Sequence, residues 1–215
     1  MINFYAITAS LYCAKTQIFL RHKHLTWTEL PPPGRFGSDV YTSHILSGTL
    51  PGLIDGETTL GDSEAIAEYL KEAYPSFLIL PKTINDRAKI RELSRFHDTR
   101  FEPCIRALFA HVPPKEPAQA YLADHSKLIS QRIKQLETLL HDRPKFCLSL
   151  GDCGFPVTFA WIEALRPILN LSLTIPNAVQ KYLNWVVSTP AVAEELSQYK
   201  PVLQASFAVK GARCN

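Results

Sequence analysis

The pattern of apolar and polar positions changes once along the chain. Before Pro75 the apolar runs are short and mixed in period. From Asn85 onward they recur at helical spacing. In the first half, Ile2 to Tyr5 is a short apolar and aromatic run that reads as a strand. A loop at Thr8-Ala9-Ser10 leads into residues Leu11 to Lys23, whose apolar Leu11, Ile18, Phe19 and Leu20 predict a helix. Leu25 to Leu30 alternates and predicts a second strand, parallel to the first because a helix separates them. Pro31-Pro32-Pro33-Gly34 is a stiff exit, and residues Phe36 to Leu46 hold at most a short, poorly specified helix. From Thr49 to Leu70 the pattern predicts a proline-led strand, a turn at Asp55-Gly56, a second strand, and a helix opened by Asp62-Ser63. The order is β-α-β-α-β-β-α, a small α/β unit.

Residues Pro75 to Lys82 read as a linker. Arg87 to Leu93 begins a long helix expected to run to about Val112, to bend near Pro103 and to stop at Pro113-Pro114. Ala118 to His141 predicts a second helix with Tyr121, Leu122, Leu128, Ile129, Ile133, Leu136, Leu139 and Leu140 on its apolar face. Pro176 to Val187 and Pro190 to Leu196 are shorter helices, each started by a proline. Ser149-Leu150-Gly151-Asp152 is a capping box ahead of an apolar helix. Pro156 then either kinks that helix or marks its true start. No strand of comparable strength follows residue 80.

Composition narrows the function class. The 215 residues carry 46% hydrophobic and 20% charged side chains, ordinary for a soluble globular protein. The net charge of +3 is too weak to argue for nucleic acid. No apolar stretch is long enough to span a bilayer, and the N-terminus lacks the basic region of a signal peptide. Five scattered cysteines (Cys13, Cys104, Cys147, Cys153 and Cys214) show no metal-ligand spacing, and their odd number argues against a disulfide framework. No metal is expected, and a reducing cytoplasm fits best.

Two stretches carry the chemistry. In Leu50-Pro51-Gly52-Leu53, Leu50 precedes a proline and should be extended, so its N–H and C=O could pair with an extended peptide. Asp62-Ser63 opens a helix whose free N–H groups attract a carboxylate. Ser10-Leu11-Tyr12-Cys13-Ala14-Lys15 sits where the first strand hands over to the first helix. There the Ser10 hydroxyl either caps the helix or donates to a ligand thiolate, and the two roles are compatible. Cys13 reads as a half-buried helix residue, and Tyr12 as a ligand contact or a packing residue. His97 and Asp98 could pass for a catalytic pair. Consecutive α-helical positions do not face each other, so surface or interdomain salt bridges are the expectation instead. Trp161, Trp185 and Phe159 are expected in the core.

Leu50-Pro51-Gly52-Leu53 followed by Asp62-Ser63-Glu64-Ala65-Ile66-Ala67-Glu68-Tyr69-Leu70 resembles the glutathione-binding half of the glutathione S-transferase superfamily. There the pattern is V-P-x-L, a hairpin, then E-S-x-A-I-x-x-Y-L, and the proline is cis. Ser10, Lys15, Ile18 and Leu20 resemble the serine-type members. The resemblance implies a thioredoxin-like α/β domain over residues 1–76 and an all-α domain over 83–215. It implies glutathione as co-substrate, its thiolate stabilised by Ser10, its γ-glutamyl end held by Asp62 and Ser63, and its backbone paired with Leu50 ahead of Pro51. Tyr12, Arg35, His44 and Thr49 are secondary candidates. A small electrophile, a homodimer and a cytoplasmic setting follow from the same likeness, as does a cleft lined by the first long helix. The alternatives are a glutathione-dependent isomerase or dehalogenase, or a non-catalytic adaptor. Asp62 stands where the family more usually has Glu.

Overall fold

The computed structural model describes residues 1–112 and 119–209. Pro113, Pro114, Ala118 and Cys214, named above, lie outside the described residues. The chain divides into two compact units, Met1–Ile79 and the chain from Leu80 onward.

The first unit is a mixed four-stranded sheet with helices. Its elements are β1 (Ile2–Tyr5), α1 (Leu11–His22), β2 (Trp27–Leu30), α2 (Asp39–Thr42), β3 (Gly52–Asp55), β4 (Thr58–Leu60) and α3 (Ser63–Ala73). The strand order is β2-β1-β3-β4. β1 and β2 are parallel, with Ile2 opposite Trp27. β3 runs antiparallel to β1, with Phe4 opposite Leu53, and β4 antiparallel to β3. Ile2, Phe4 and Leu53 from the sheet bury against Leu20 of α1 and Ile66 and Leu70 of α3. Each such side chain contributes about 1.5–3 kcal/mol of burial. The order is the thioredoxin-like one.

Two local details differ from the pattern-based expectation. The hairpin turn is Gly56-Glu57, not Asp55-Gly56: Asp55 still pairs with Thr58, and Gly56 takes the positive φ of +59°. A glycine at the first turn position meets that geometry without strain. Asp55 instead accepts from the hydroxyls of Tyr69 (3.0 Å) and Tyr74 (2.5 Å). In the region 36–46, helix shrinks to the single turn α2. Tyr41 anchors it: the residue is fully buried, its ring meets Tyr5 edge-on at 5.5 Å, and its hydroxyl donates to the Thr49 carbonyl at 2.9 Å. Cys13 is fully rather than half buried, at 1% exposure.

At the end of the first unit, the Lys23 ammonium donates to the carbonyls of Ser76 (2.8 Å) and Phe77 (3.2 Å), and Ile79 is buried.

The regular elements described in the second unit are all helical: α4 (Ile84–Phe96), a π-helical turn (His97–Phe101), α5 (Glu102–Arg106), a 3₁₀ segment (Ala107–His111), α6 (Gln119–His141), α7 (Gly154–Ile168), α8 (Asn177–Val187) and α9 (Pro190–Val209). The π turn lies just ahead of Pro103. Pro103 has no N–H to donate back to Thr99, and a widened turn removes the α-type bond it could not make. The expectation for His97 and Asp98 does not hold. They meet at 2.7 Å (Nδ1 to Oδ1) within that turn. His97 is buried, with Nε2 2.7 Å from Thr158 Oγ1, so it is no surface residue. A Cβ at Gly154 would overlap its imidazole, so the glycine makes the room.

α7 begins at Gly154, which places Pro156 in its first turn, where a missing N–H costs nothing. The capping box forms in part. The buried Asp152 carboxylate accepts from the Ser149 N–H (2.9 Å) and hydroxyl (2.6 Å), and also from Arg143 and Tyr182. α9 is much longer than the predicted Pro190–Leu196 and runs through Pro201. Burial of Tyr199, Leu203 and Phe207 along one face carries it past the proline. Trp161 and Phe159 are core residues, but Trp185 is 36% exposed, with the Arg143 guanidinium 4.6 Å from its ring centroid.

Candidate functional site

Ser10 follows β1 and takes extended dihedrals (φ −79°, ψ 121°) before α1 turns away. Its Oγ accepts from the Cys13 N–H at 3.3 Å, which makes it the N-cap of α1. A hydroxyl that accepts through a lone pair keeps its hydrogen to donate elsewhere. Tyr12 is half-buried two residues on, and the Lys15 ammonium stands 5.8 Å from its ring centroid.

Leu50 lies just outside the sheet ladder, which starts at Gly52 opposite Tyr5. Its side chain leans on the sheet core, and the Leu50–Pro51 peptide is cis. Thr49 is more committed than its secondary role implied. Its hydroxyl donates to the Gly61 carbonyl (3.2 Å) and meets the Ser47 hydroxyl (3.0 Å), while its own carbonyl is taken by Tyr41. Burial pushes the Tyr41 phenol pKa up, with Cys13 and Tyr5 adding to it, so Tyr41 stays a donor. Ser47 also donates to the Gly61 carbonyl, at 3.2 Å. These hydroxyls tie the segment before Leu50 to the residue before Asp62.

Asp62 is the N-cap of α3. Its Oδ1 accepts from the N–H groups of Glu64 and Ala65, both at 2.9 Å. Asp is among the strongest N-cap residues, so the shorter acid at this position caps its own helix and keeps Oδ2 for another donor. Ser63 is 5% exposed and opens the helix, where first-turn N–H groups have no intrahelical acceptor. Arg35 and His44 are both exposed; the His44 ring lies 6.2 Å from that of Tyr5.

One link between these parts escapes sequence reading. Lys15 of α1 is 1% exposed and its ammonium donates to Glu64 Oε2 of α3 at 3.0 Å. The signal was available: Lys15 interrupts the Leu11, Ile18 stripe of α1 at a helical core position. Among the described residues no group of three or more His, Cys, Asp or Glu could hold a metal ion, and no helix is long and apolar enough to cross a membrane.

Residues 4–78 match the profile of the glutathione S-transferase N-terminal domain. The first unit therefore carries a glutathione S-transferase N-terminal domain. The chain is 28% identical over 160 residues to glutathione S-transferase T2 of Arabidopsis thaliana, a match covering 66% of this chain and 26% of that protein. It is 33% identical over 91 residues to a zeta-class glutathione S-transferase of Euphorbia esula, covering 40% of each. The matches thus span between about a quarter and two fifths of the length of these curated relatives. Among solved structures, a delta-class glutathione transferase of Nilaparvata lugens aligns with a TM-score of 0.82 over 98% of this chain and all of that one. At 18% identity that likeness speaks to the fold, a thioredoxin-like unit followed by an all-α unit.

Proposed function

We propose that this chain is a glutathione transferase of the serine type. Glutathione lies across the first unit, its γ-glutamyl carboxylate at the start of α3 and its cysteinyl backbone paired with Leu50. The Ser10 hydroxyl donates to the sulfur and favours the thiolate. The thiolate attacks an electrophilic carbon of a small substrate. A C–S bond forms, and the leaving group departs with its electron pair, or a proton from water completes an addition. Residues 1–76 form the glutathione-binding domain, and 83–215 the all-helical domain. Glutathione-dependent isomerisation or dehalogenation would use the same thiolate. The working state is a cytoplasmic homodimer.

The observation that carries this reading is the presence of two capped helix N-termini, at Ser10 and at Asp62, in one unit. Each N-terminus favours an anion, and glutathione has two to offer, a thiolate and a carboxylate. An adaptor has no need of either. The test is retention on immobilised glutathione with elution by free glutathione, followed by calorimetry. Ser63→Ala should weaken binding by about 1–3 kcal/mol, the cost of an unpaired buried group, or roughly 5- to 150-fold. Equal affinity of wild type and Ser63→Ala would refute the placement of the carboxylate. Failure of the wild type to bind would refute the function.

A further inference from the structure

Lys15 is a charge where packing alone would place an apolar side chain. It occupies the buried stripe of α1 with Leu11 and Ile18, at 1% exposure, and Glu64 at 14% exposure receives its ammonium at 3.0 Å. Buried lysines are rare unless paired. A buried ion pair is weak evidence for stability, since apolar residues of similar volume often serve as well or better. Where such a pair is kept, a role other than stability is the natural place to look.

The geometry points to that role. Glu64 directly follows Ser63, and its N–H is bound by the Asp62 carboxylate at 2.9 Å. Lys15 lies five residues beyond Ser10 on α1, about 7 Å along the helix axis. Its ammonium is also 5.8 Å from the Tyr12 ring centroid, within cation–π range. A displacement of Glu64 therefore carries Asp62 and Ser63 with it, while the cap of Ser10 on the Cys13 N–H holds the start of α1 independently of the pair. Glu64 also neutralises the ammonium, so Lys15 does not compete with the first-turn N–H groups of α3 for an anion.

We propose that the Lys15–Glu64 pair positions the two ends of the glutathione site, locking Asp62 and Ser63 on α3 to the Ser10 end of α1. Lys15 and Glu64 are positioning residues, and the proposal rests on the glutathione reading above. It predicts a split. Breaking the pair loosens the γ-glutamyl grip while the hydrogen bond from Ser10 to the sulfur persists. Affinity falls, and the pKa of the bound thiol does not change.

Four proteins test it: wild type, Lys15→Met, Lys15→Arg, and Lys15→Met/Glu64→Leu. Each is measured for glutathione affinity by calorimetry, for bound-thiol pKa by ultraviolet absorbance, and for thermal midpoint. Lys15→Met should bind glutathione at least tenfold more weakly, and Lys15→Arg should recover most of that loss. The double variant replaces the pair by apolar groups. It should melt at or above the wild-type midpoint and still bind at least tenfold more weakly, with a wild-type thiol pKa. A double variant that regains wild-type affinity with its midpoint would overturn the proposal and leave the pair a packing device. That arm stands even where Lys15→Met alone does not fold. Wild type that binds, with variants that bind equally, overturns this proposal alone. Wild type that does not bind overturns the glutathione reading, and this proposal with it.

Discussion

Replacing Ser10 separates two functions that share one oxygen. In the structure its Oγ accepts from the Cys13 N–H at 3.3 Å, a long bond for a cap. Losing an N-cap costs about 0.5–2 kcal/mol, and the length argues for the lower half of that range. In a protein of this size about 0.5–1 kcal/mol lowers the thermal midpoint by about 1–4 °C. The donated hydrogen is a different quantity. A hydrogen bond to a charged group contributes about 1.5–3 kcal/mol, which corresponds to a rise of about 1–2 in the pKa of the bound thiol on its loss. At neutral pH the thiolate fraction, and kcat/KM with it, should then fall by roughly ten- to a hundredfold.

A substitution series pulls the two apart. Glycine caps within a few tenths of a kcal/mol of serine and aspartate caps as well as serine, whereas alanine does not. None of the three donates a hydroxyl hydrogen to the sulfur at neutral pH, and aspartate adds a like charge that disfavours the thiolate. Thermal midpoints should therefore run Ser10 ≈ Ser10→Asp ≈ Ser10→Gly, above Ser10→Ala. Thiolate formation should run Ser10, then Ser10→Gly ≈ Ser10→Ala, then Ser10→Asp. The assay is thiolate absorbance of the glutathione complex against pH, beside a melting curve for each protein. If thiolate formation instead follows the melting order, with Ser10→Asp as good as wild type, Ser10 is a cap and nothing more.

Three further predictions follow from other parts of the chain. Asp152→Ala should cost about 3–5 kcal/mol, because it leaves the Arg143 guanidinium, the Ser149 hydroxyl and the Tyr182 hydroxyl without their shared carboxylate; a urea midpoint within error of wild type would contradict this. Burial lowers the His22 pKa below its ordinary 6.5, and its Nε2 is buried without a partner among the described residues. The unfolded chain then takes up this proton first as pH falls below about 6.5, so stability drops from there until the folded state protonates too. His22→Gln should flatten the loss as pH falls below about 6.5, and an unchanged slope would dismiss His22 as its source. Light scattering should give twice the 24.2 kDa chain mass, and a monomer at all working concentrations would contradict the homodimer.

The fold was legible because its signals are local. Ile2–Tyr5, the α1 stripe and the run from Ser63 to Leu70 each carry a period that one element satisfies. What escaped reading depended on partners distant in sequence. The length of α9 past Pro201 follows from burial of Leu203 and Phe207, which no propensity scale contains. The His97–Asp98 contact shows that adjacent helical side chains can still meet end to end, as Lys71 and Glu72 do inside α3. Trp185 is exposed because Arg143, held by Asp152, offers it a cation rather than a core.

The candidate site was legible by residue type and illegible by role, for one physical reason. Ser10 and Asp62 are both N-caps. The serine or aspartate that marks a capped helix start is also the residue that marks an anion site, because both answer the same unpaired N–H groups. A sequence pattern cannot separate them. The structure narrows the choice by showing which atoms are spent: Ser10 Oγ accepts from Cys13, and Asp62 Oδ1 accepts from Glu64 and Ala65. The hydroxyl hydrogen of the one and Oδ2 of the other are the atoms left to a ligand. A donor at Ser10 and an acceptor at Asp62 are the polarity that the thiolate and the ammonium of the proposed ligand require.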